Sequence, residues 1–144
     1  MNEYNPDHVS VIVNFRVGQK VVVFNSNNEI LFLKRSNKCA RAGGWDFPGG
    51  ALEEEEAEEG IVRETREETG LEIEDVAPIS LITHLRDDPQ SSILLIGYKA
   101  NLKSGEVRLS WEHDQYKWVS VEEALKIDLP EGHRKFLKAA IKNR

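Results

Sequence analysis

The sequence predicts a mixed α/β fold in which a mixed β-sheet is packed between helices. Three observations lead to this prediction: segments rich in β-branched residues come first, a glutamate-rich helical segment follows, and further β-rich segments then lead into two helical segments. Strands and helices in this order are typical of a sheet covered by helices. A length of 144 residues is that of one domain, so we expect residues 1–144 to form a single domain.

The first third of the chain carries strand signals. Residues 9–15 and 17–24 are rich in β-branched residues, which favour strands. The polar residues 25–28 are typical of a turn, and residues 29–35 alternate in hydrophobicity like the second arm of a β-hairpin. Residues 36–50 contain two glycine pairs and a proline, and we expect them to form a loop.

The middle of the chain is predicted to be a helix followed by two strands. The helix covers residues 56–69, and Gly70 suits the left-handed conformation that often follows a helix. Residues 72–86 and 91–102 are expected to be extended and joined by a turn at 87–90.

The last part of the chain is predicted to contain one strand and two helices. The strand covers residues 116–119. Ser120 is a candidate N-cap, with Glu123 three residues later as in a capping box, so a short helix is expected to run to about Ile127. A proline then interrupts the chain, and the final helix is expected at about residues 132–142.

The composition excludes several classes of protein. Apolar residues make up 40% and charged residues 31% of the chain, which is unlike a disordered or collagen-like protein. No apolar run approaches the roughly 20 residues of a membrane-spanning helix, so we expect no membrane partner. Cys39 is the single cysteine and the N-terminus is polar, so we expect no disulfide, no secretory signal and a cytoplasmic location.

The net charge of −6 is concentrated in one segment. Residues 51–70 contain nine glutamates and two arginines, a balance of −7, so the remaining residues sum to +1. An acidic surface repels a phosphate backbone, and a nucleic-acid polymer is therefore not an expected partner.

Three glutamates of the predicted helix share one face. At about 100° per residue, Glu64, Glu67 and Glu68 fall within an arc of about 100°, while the more apolar residues fall on a separate arc. Like charges at this spacing each destabilise a helix by about 0.2–0.5 kcal/mol. Mg²⁺ would relieve this repulsion, because it binds carboxylate oxygens and keeps positions for water and phosphate. The pattern therefore predicts a metal site, beside which Arg63 could hold one carboxylate by a bidentate ion pair.

These residues resemble the Nudix box, the motif of the Nudix hydrolase family. The motif is glycine, five residues, glutamate, seven residues, Arg-Glu, an aliphatic residue, any residue, Glu-Glu, any residue, glycine and an aliphatic residue. Eight positions match: Gly49, Glu55, Arg63, Glu64, Glu67, Glu68, Gly70 and Leu71. Thr65 replaces the usual aliphatic residue, and the segment between Gly50 and Glu55 is one residue shorter than usual.

The resemblance covers about residues 18–140 and implies the Nudix α/β/α sandwich. It implies hydrolysis of a nucleoside diphosphate linked to another group, with a small nucleotide as substrate. Residues 45–50 are most similar to the MutT-like branch, which implies cleavage of a (deoxy)nucleoside triphosphate to the monophosphate and pyrophosphate. ADP-ribose and dinucleoside polyphosphates are alternative substrates. A domain that senses nucleotides without catalysis, or a structural domain with an acidic helix, is a further alternative, and a homodimer is compatible with the sequence.

The resemblance also implies a ligand set for the metal. Glu64, Glu67, Glu68 and Gly49 are expected to hold Mg²⁺, with Mn²⁺ as a substitute, and Arg63 is expected to act with the glutamates in catalysis. A bound metal of this kind neutralises phosphate charge and lowers the pKa of water.

Substrate-binding candidates lie outside the box helix. Arg35 ends a strand that points toward the expected site and is a candidate phosphate ligand. Trp45 and Phe47 are candidates for stacking on a base, and Asp46 for accepting hydrogen bonds from a purine edge. His133 is expected near the base pocket.

A fourth carboxylate is expected to reach the site from another element, since one helix supplies only one wall. Glu112 is the candidate, because it lies in a polar loop six residues before Trp118, a spacing similar to that of a late acidic residue in family members. Asp114 and Glu106 are its alternatives.

Overall fold

The computed structural model describes residues 3–85, 87 and 92–144 of the chain. Strands and helices follow one another in the predicted mixed order. The elements are β1 (Arg16–Phe24), β2 (Ile30–Arg35), β3 (Trp45–Asp46), β4 (Gly49–Ala51), α1 (Ala57–Thr69), β5 (Glu72–His84), β6 (Ile93–Ser104), β7 (His113–Val119), α2 (Val121–Ala124) and α3 (Glu131–Lys142). Within the described residues, no helix is long and apolar enough to cross a membrane.

The strands form one mixed sheet in the order β3-β2-β1-β6-β5, with β4 paired to β1 and β7 paired to β2. The hairpin predicted between β1 and β2 is present, and the two strands are antiparallel. By contrast, β1 and β6 are parallel, in register from Arg16 opposite Ile93 to Phe24 opposite Asn101. This arrangement makes β1 a central strand, which explains why its second half, Val21 to Phe24, is continuously apolar and buried.

Each face of the sheet carries its own core. Val22 and Phe24 of β1 point into a cluster that contains Leu137 of α3. Val21 and Val23 point to the other face, into a cluster that contains Ile61 of α1. The sheet is therefore covered by helices on both faces, which confirms the predicted fold class.

Two glycines shape the chain around α1. A Cβ atom added to Gly49 would lie 1.8 Å from the carbonyl oxygen of Gln19, so only glycine allows β4 to lie this close to β1. Gly70 follows α1 with a φ of 75°, and its N–H donates to the carbonyl of Arg66, as predicted for a left-handed helix end.

The structure corrects the prediction of a strand at residues 9–15. These residues are exposed and pair with no strand among the described residues, and β1 begins at Arg16. The β-branched composition favours an extended chain, but a strand also needs a neighbour that satisfies its backbone hydrogen bonds. The neighbouring strand β6 begins only at Ile93.

Smaller differences concern the ends of elements. The predicted loop at 36–50 contains the short strands β3 and β4, and β7 begins three residues earlier than predicted. The predicted turn at 87–90 lies largely outside the described residues. Ser120 is the N-cap of α2, since its side chain accepts a hydrogen bond from the Glu123 N–H, but α2 ends at Ala124.

Candidate active site

The glutamates on the acidic face of α1 differ in burial. Glu68 is 2% exposed, whereas the side chain of Glu67 is 58% exposed. On the core-facing side, the hydroxyl of Thr65 donates to the carbonyl of Ile61 at 2.7 Å. The threonine that departs from the box pattern is therefore buried with its polar group satisfied.

The glycine pair of β4 lies directly on this carboxylate face. The Gly49 N–H donates to Glu68 Oε2 at 3.1 Å. A Cβ atom added to Gly50 would lie 2.6 Å from Cδ of Glu64. The absence of side chains at both positions lets the backbone and the glutamates approach closely.

Arg63 connects three glutamates of the box. Its guanidinium donates to both carboxylate oxygens of Glu55, at 2.7 and 2.9 Å, which is the predicted bidentate pair. It also donates to Glu67 at 3.0 Å and to Glu64 at 3.3 Å. The hydrogen bonds from Arg63 lower the pKa of Glu55. The shortened segment before Glu55 therefore still brings this residue to Arg63.

Glu112 reaches the same face from the loop before β7. Its backbone carbonyl accepts hydrogen bonds from the Ser36 N–H at 2.9 Å and from the Cys39 thiol at 3.5 Å. Its charge is close enough to contribute to the raised pKa values of Glu64 and Glu68. Glu112 therefore lies near the box, and its role as the fourth carboxylate stays a prediction.

The oxygen donors present fit a hard divalent cation. No three acidic, histidine or cysteine side chains of the described residues are close enough together to hold a metal as they stand, and Arg63 lies among the glutamates. Burial, followed by the nearby charges of Glu112 and Glu64, raises the pKa of Glu68 to about 8 although Lys20 opposes this. Carboxylate oxygens are the ligands that Mg²⁺ prefers, and a bound cation would favour the charged form of Glu68 that burial disfavours.

The raised pKa of Glu68 predicts how metal-free stability depends on pH. Between its ordinary value of 4.5 and about 8, the folded state binds a proton that the unfolded state has released, so stability falls as pH rises. His113 has the opposite effect, because burial lowers its pKa from 6.5 to about 4, but only below about pH 6.5. When a chelator removes divalent metal, the free energy of unfolding should fall as the pH rises from 6.5 to 8. The fall is at most about 1.4 kcal/mol per pH unit, the limit for one titrating group.

Urea unfolding across this window measures the slope. Glu68→Gln is the control and should flatten it, because the carboxyl whose pKa is raised to about 8 is then absent. A wild-type protein whose stability does not change over this window would contradict the prediction.

Asp46 is the centre of a buried cluster of charges. Its Oδ2 accepts from Lys20 Nζ at 3.0 Å and from Arg35 Nη1 at 2.9 Å. Its Oδ1 accepts from His133 Nε2 at 2.8 Å and from the Phe47 N–H at 2.7 Å. Burial by itself would raise the pKa of Asp46, but the charge of Lys20 and the hydrogen bonds from His133 and Lys20 hold it well below its usual range.

These contacts correct the prediction that Asp46 and Phe47 read the base. Both oxygens of Asp46 are occupied by neighbouring side chains, and the residue is fully buried. Phe47 is also fully buried, with its ring centroid 5.1 Å from that of Phe32 and 5.9 Å from that of His133. Alternation along a short strand does not show which side chain faces the core, and in this structure Phe47 is packed in the core.

The other substrate-binding candidates are partly accessible or held by the same cluster. Arg35 is bonded to Asp46, and His133 is buried against it. Trp45 is partly exposed, and the ammonium of Lys117 lies 4.2 Å from its ring centroid. Of the two aromatic candidates, Trp45 is therefore the more exposed one.

Asp46→Asn should destabilise the protein by about 3 kcal/mol, because it leaves buried cations without their anion. Denaturant unfolding at neutral pH measures the loss. Asp128→Asn makes the same chemical change at an exposed position and should change stability by less than about 0.5 kcal/mol. Equal stability of the two variants would show that Asp46 does not organise the cluster.

Two residues near the site were not singled out from the sequence. Lys20 bonds Asp46 and the Phe47 carbonyl, and its charge lowers the pKa of Glu68. A lysine inside an apolar strand was the signal that could have identified it. His113 is buried, and neither ring nitrogen has a hydrogen-bond partner within the described residues. Nothing in its local sequence indicates this burial.

Comparisons with known proteins all point to one family. The NUDIX domain family matches residues 14–140. A bis(5'-nucleosyl)-tetraphosphatase [asymmetrical] of Mus musculus is 34% identical over 126 residues, covering 76% of this chain and 82% of the relative. A CTP pyrophosphohydrolase of Escherichia coli is 30% identical over 118 residues, covering 81% and 85%. The crystal structure of a MutT protein from Methanosarcina mazei superposes with a TM-score of 0.75 at 29% identity, covering 93% and 98%.

Proposed function

This chain belongs to the NUDIX family, whose members hydrolyse phosphoric anhydride bonds, and we propose that it cleaves a nucleoside triphosphate to the monophosphate and pyrophosphate with Mg²⁺. The observation that supports catalysis is that all four box glutamates, Arg63 and Glu112 are retained around one face of α1. Domains that only sense nucleotides usually lose box glutamates.

Different side chains are assigned to metal binding and to positioning in the displacement at phosphorus. When bound, Mg²⁺ supplies charge neutralisation for the phosphates and lowers the pKa of water. Glu64, Glu67 and Glu68 would hold it, together with the backbone of Gly49. Arg63 keeps Glu55 and Glu67 in fixed orientations through its ion pairs. Positioning and charge stabilisation of this kind are the main demands of phosphoryl chemistry.

Glu112 is assigned to proton transfer. A water oxygen bonds to phosphorus, the bond from phosphorus to the bridging oxygen breaks, and the proton of the water passes to the Glu112 carboxylate. The position of Glu112 opposite α1, on a loop held by Ser36 and Cys39, supports this role.

The proposed contacts to substrate are made by two side chains that are partly exposed to solvent. Arg35 is assigned to a phosphate, since its guanidinium is partly exposed at the edge of the Asp46 cluster. Trp45 is assigned to stacking on the base. The similarity to a MutT protein and to a CTP pyrophosphohydrolase supports a nucleoside triphosphate as the substrate.

A dinucleoside polyphosphate is the second candidate substrate. Two relatives named bis(5'-nucleosyl)-tetraphosphatase [asymmetrical], from mouse and from Sus scrofa, are 34% and 31% identical and are covered over 82% and 83% of their lengths. The same metal-binding face would serve either substrate, because both contain a nucleoside diphosphate linked to a further group.

A hydrolysis screen with product analysis tests the proposal. Nucleoside triphosphates, dinucleoside tetraphosphates, ADP-ribose and nucleotide sugars are each supplied with Mg²⁺, and phosphate, pyrophosphate and nucleotide products are measured separately. Pyrophosphate and a monophosphate from a triphosphate support the first candidate, and a triphosphate and a monophosphate from a dinucleotide support the second. Saturable nucleotide binding without any product would show a sensing domain instead.

A further inference from the structure

Residues 9–15 expose an unusual amount of apolar surface. Val9, Val11 and Ile12 are 83%, 88% and 86% exposed, and Val13 and Phe15 are also exposed. Single exposed apolar residues are common in proteins, but a continuous apolar patch marks a surface that another molecule covers.

The same residues have the pattern of a strand that lacks a partner. Val9, Val11, Val13 and Phe15 are spaced two residues apart, so an extended chain would place them on one face. No glycine or proline interrupts the segment, and its β-branched residues favour extended structure.

The sheet has an open edge that such a strand can join. β5 is the last strand of the order β3-β2-β1-β6-β5, and no strand of the described residues lies beyond it. Leu81 is 57% exposed on this strand, and its carbonyl accepts a hydrogen bond from Lys135, a flexible side chain that an incoming amide can displace. Pro78 lacks an N–H, so pairing is expected at residues 79–84.

Basic side chains line the surface next to this edge. A groove of about 530 Å³ lies between the end of β5 and α3, and its α3 wall carries three basic residues, Arg134, Lys135 and Lys138, against one acidic residue, Glu131. The chain before residues 9–15 carries Glu3 and Asp7. The two surfaces are therefore complementary in charge as well as in apolar character.

The segment of the same molecule cannot reach this edge over its full length. Arg16 lies opposite Ile93, which lies opposite His84, so residues 9–15 leave the sheet at the end where β5 finishes. To reach the outer edge of β5 they would cross three strand spacings, about 14 Å. At about 3.4 Å per residue this crossing takes roughly four of the seven residues, so only about three would be left to pair with β5 of the same molecule.

We propose that residues 9–15 pair with the outer edge of β5 in a second copy of the chain, forming a strand-exchanged homodimer. The segment and the edge lie at the same end of the molecule. Two copies related by a twofold axis can therefore exchange segments reciprocally, which closes the assembly at two subunits. The proposal is independent of the hydrolytic activity.

Sedimentation of the full chain at micromolar and at higher concentrations tests the proposal. The wild type should dimerise. Val11→Asp combined with Val13→Asp should weaken the dimer by roughly 100-fold or more, because apolar burial is lost on both exchanged segments. Leu81→Arg should weaken it from the receiving side. Leu125→Asp changes an exposed apolar residue elsewhere and should have no effect.

A mixture of variants tests the pairing itself. When the Val11→Asp, Val13→Asp chain is mixed with the Leu81→Arg chain, one of the two exchanges uses only unaltered residues, so mixed dimers should form more readily than either variant dimerises alone. Circular dichroism should show unchanged folding of each variant, since the altered positions are exposed. A monomeric wild type, or dimerisation unaffected by changes in the segment, would overturn the proposal.

Discussion

Glu67→Gln is expected to lower kcat by about 10²–10³-fold at saturating Mg²⁺, the scale on which loss of one electrostatic contact to a transition state acts. The amide keeps the shape of the side chain but removes the charge that a divalent cation requires. The side chain is 58% exposed, and its ion pair with Arg63 is at the surface, so folding should be almost unchanged. Steady-state kinetics and thermal unfolding of the same variant separate these effects.

Glu59→Gln is the matched control for this prediction. Glu59 is exposed on the first turn of α1, so the variant makes the same change in charge on the same helix outside the box positions. It should keep normal activity. Near-normal turnover of Glu67→Gln would remove Glu67 from the ligand set, and equal losses in both variants would show a general effect of helix charge.

Glu112→Gln is expected to lower kcat by about 10²-fold or more with little change in KM, which is typical of a group used mainly in the transition state. The negative charge of its carboxylate contributes to the raised pKa values of Glu64 and Glu68. Its backbone is held by hydrogen bonds from the 36–39 loop. Because glutamine leaves these backbone contacts intact, the loop should keep its position. Single-turnover kinetics would assign the loss to the chemical step.

Asp114→Asn is the comparison that distinguishes the two candidates on this loop. Asp114 is exposed at the start of β7 and should be dispensable. Normal activity of Glu112→Gln together with a large loss of activity in Asp114→Asn would show that Asp114 is the fourth carboxylate. If both are normal, the box glutamates and their metal activate the water without a further carboxylate.

The helix that carries the chemistry could be predicted because its signals are local. Glu64, Glu67 and Glu68 share a face through the geometry of one helix, and that geometry depends only on their spacing. Gly70 ends the helix through its own backbone conformation. A bidentate ion pair of Arg63 was predicted, but only the structure shows that Glu55 is its partner, because Glu55 lies before α1 and outside its helical geometry.

The roles of Asp46 and Phe47 could not be predicted because they depend on distant residues. Lys20, Arg35 and His133 come from three separate elements, and only the folded chain brings them to one carboxylate. The local sequence Trp-Asp-Phe is equally consistent with a ligand-facing loop and with a strand that buries alternate side chains.

The sequence by itself therefore determined the mixed fold, the acidic face of α1 and the family to which they belong, because each is encoded in spacing along one segment. The tertiary structure decided which polar groups are buried and which strand-forming segment has a neighbour. Residues 9–15 have the composition of a strand, but a strand forms only where another backbone supplies its hydrogen bonds. In the described chain β6, the parallel partner of β1, begins at Ile93, and the segment before Arg16 is left exposed.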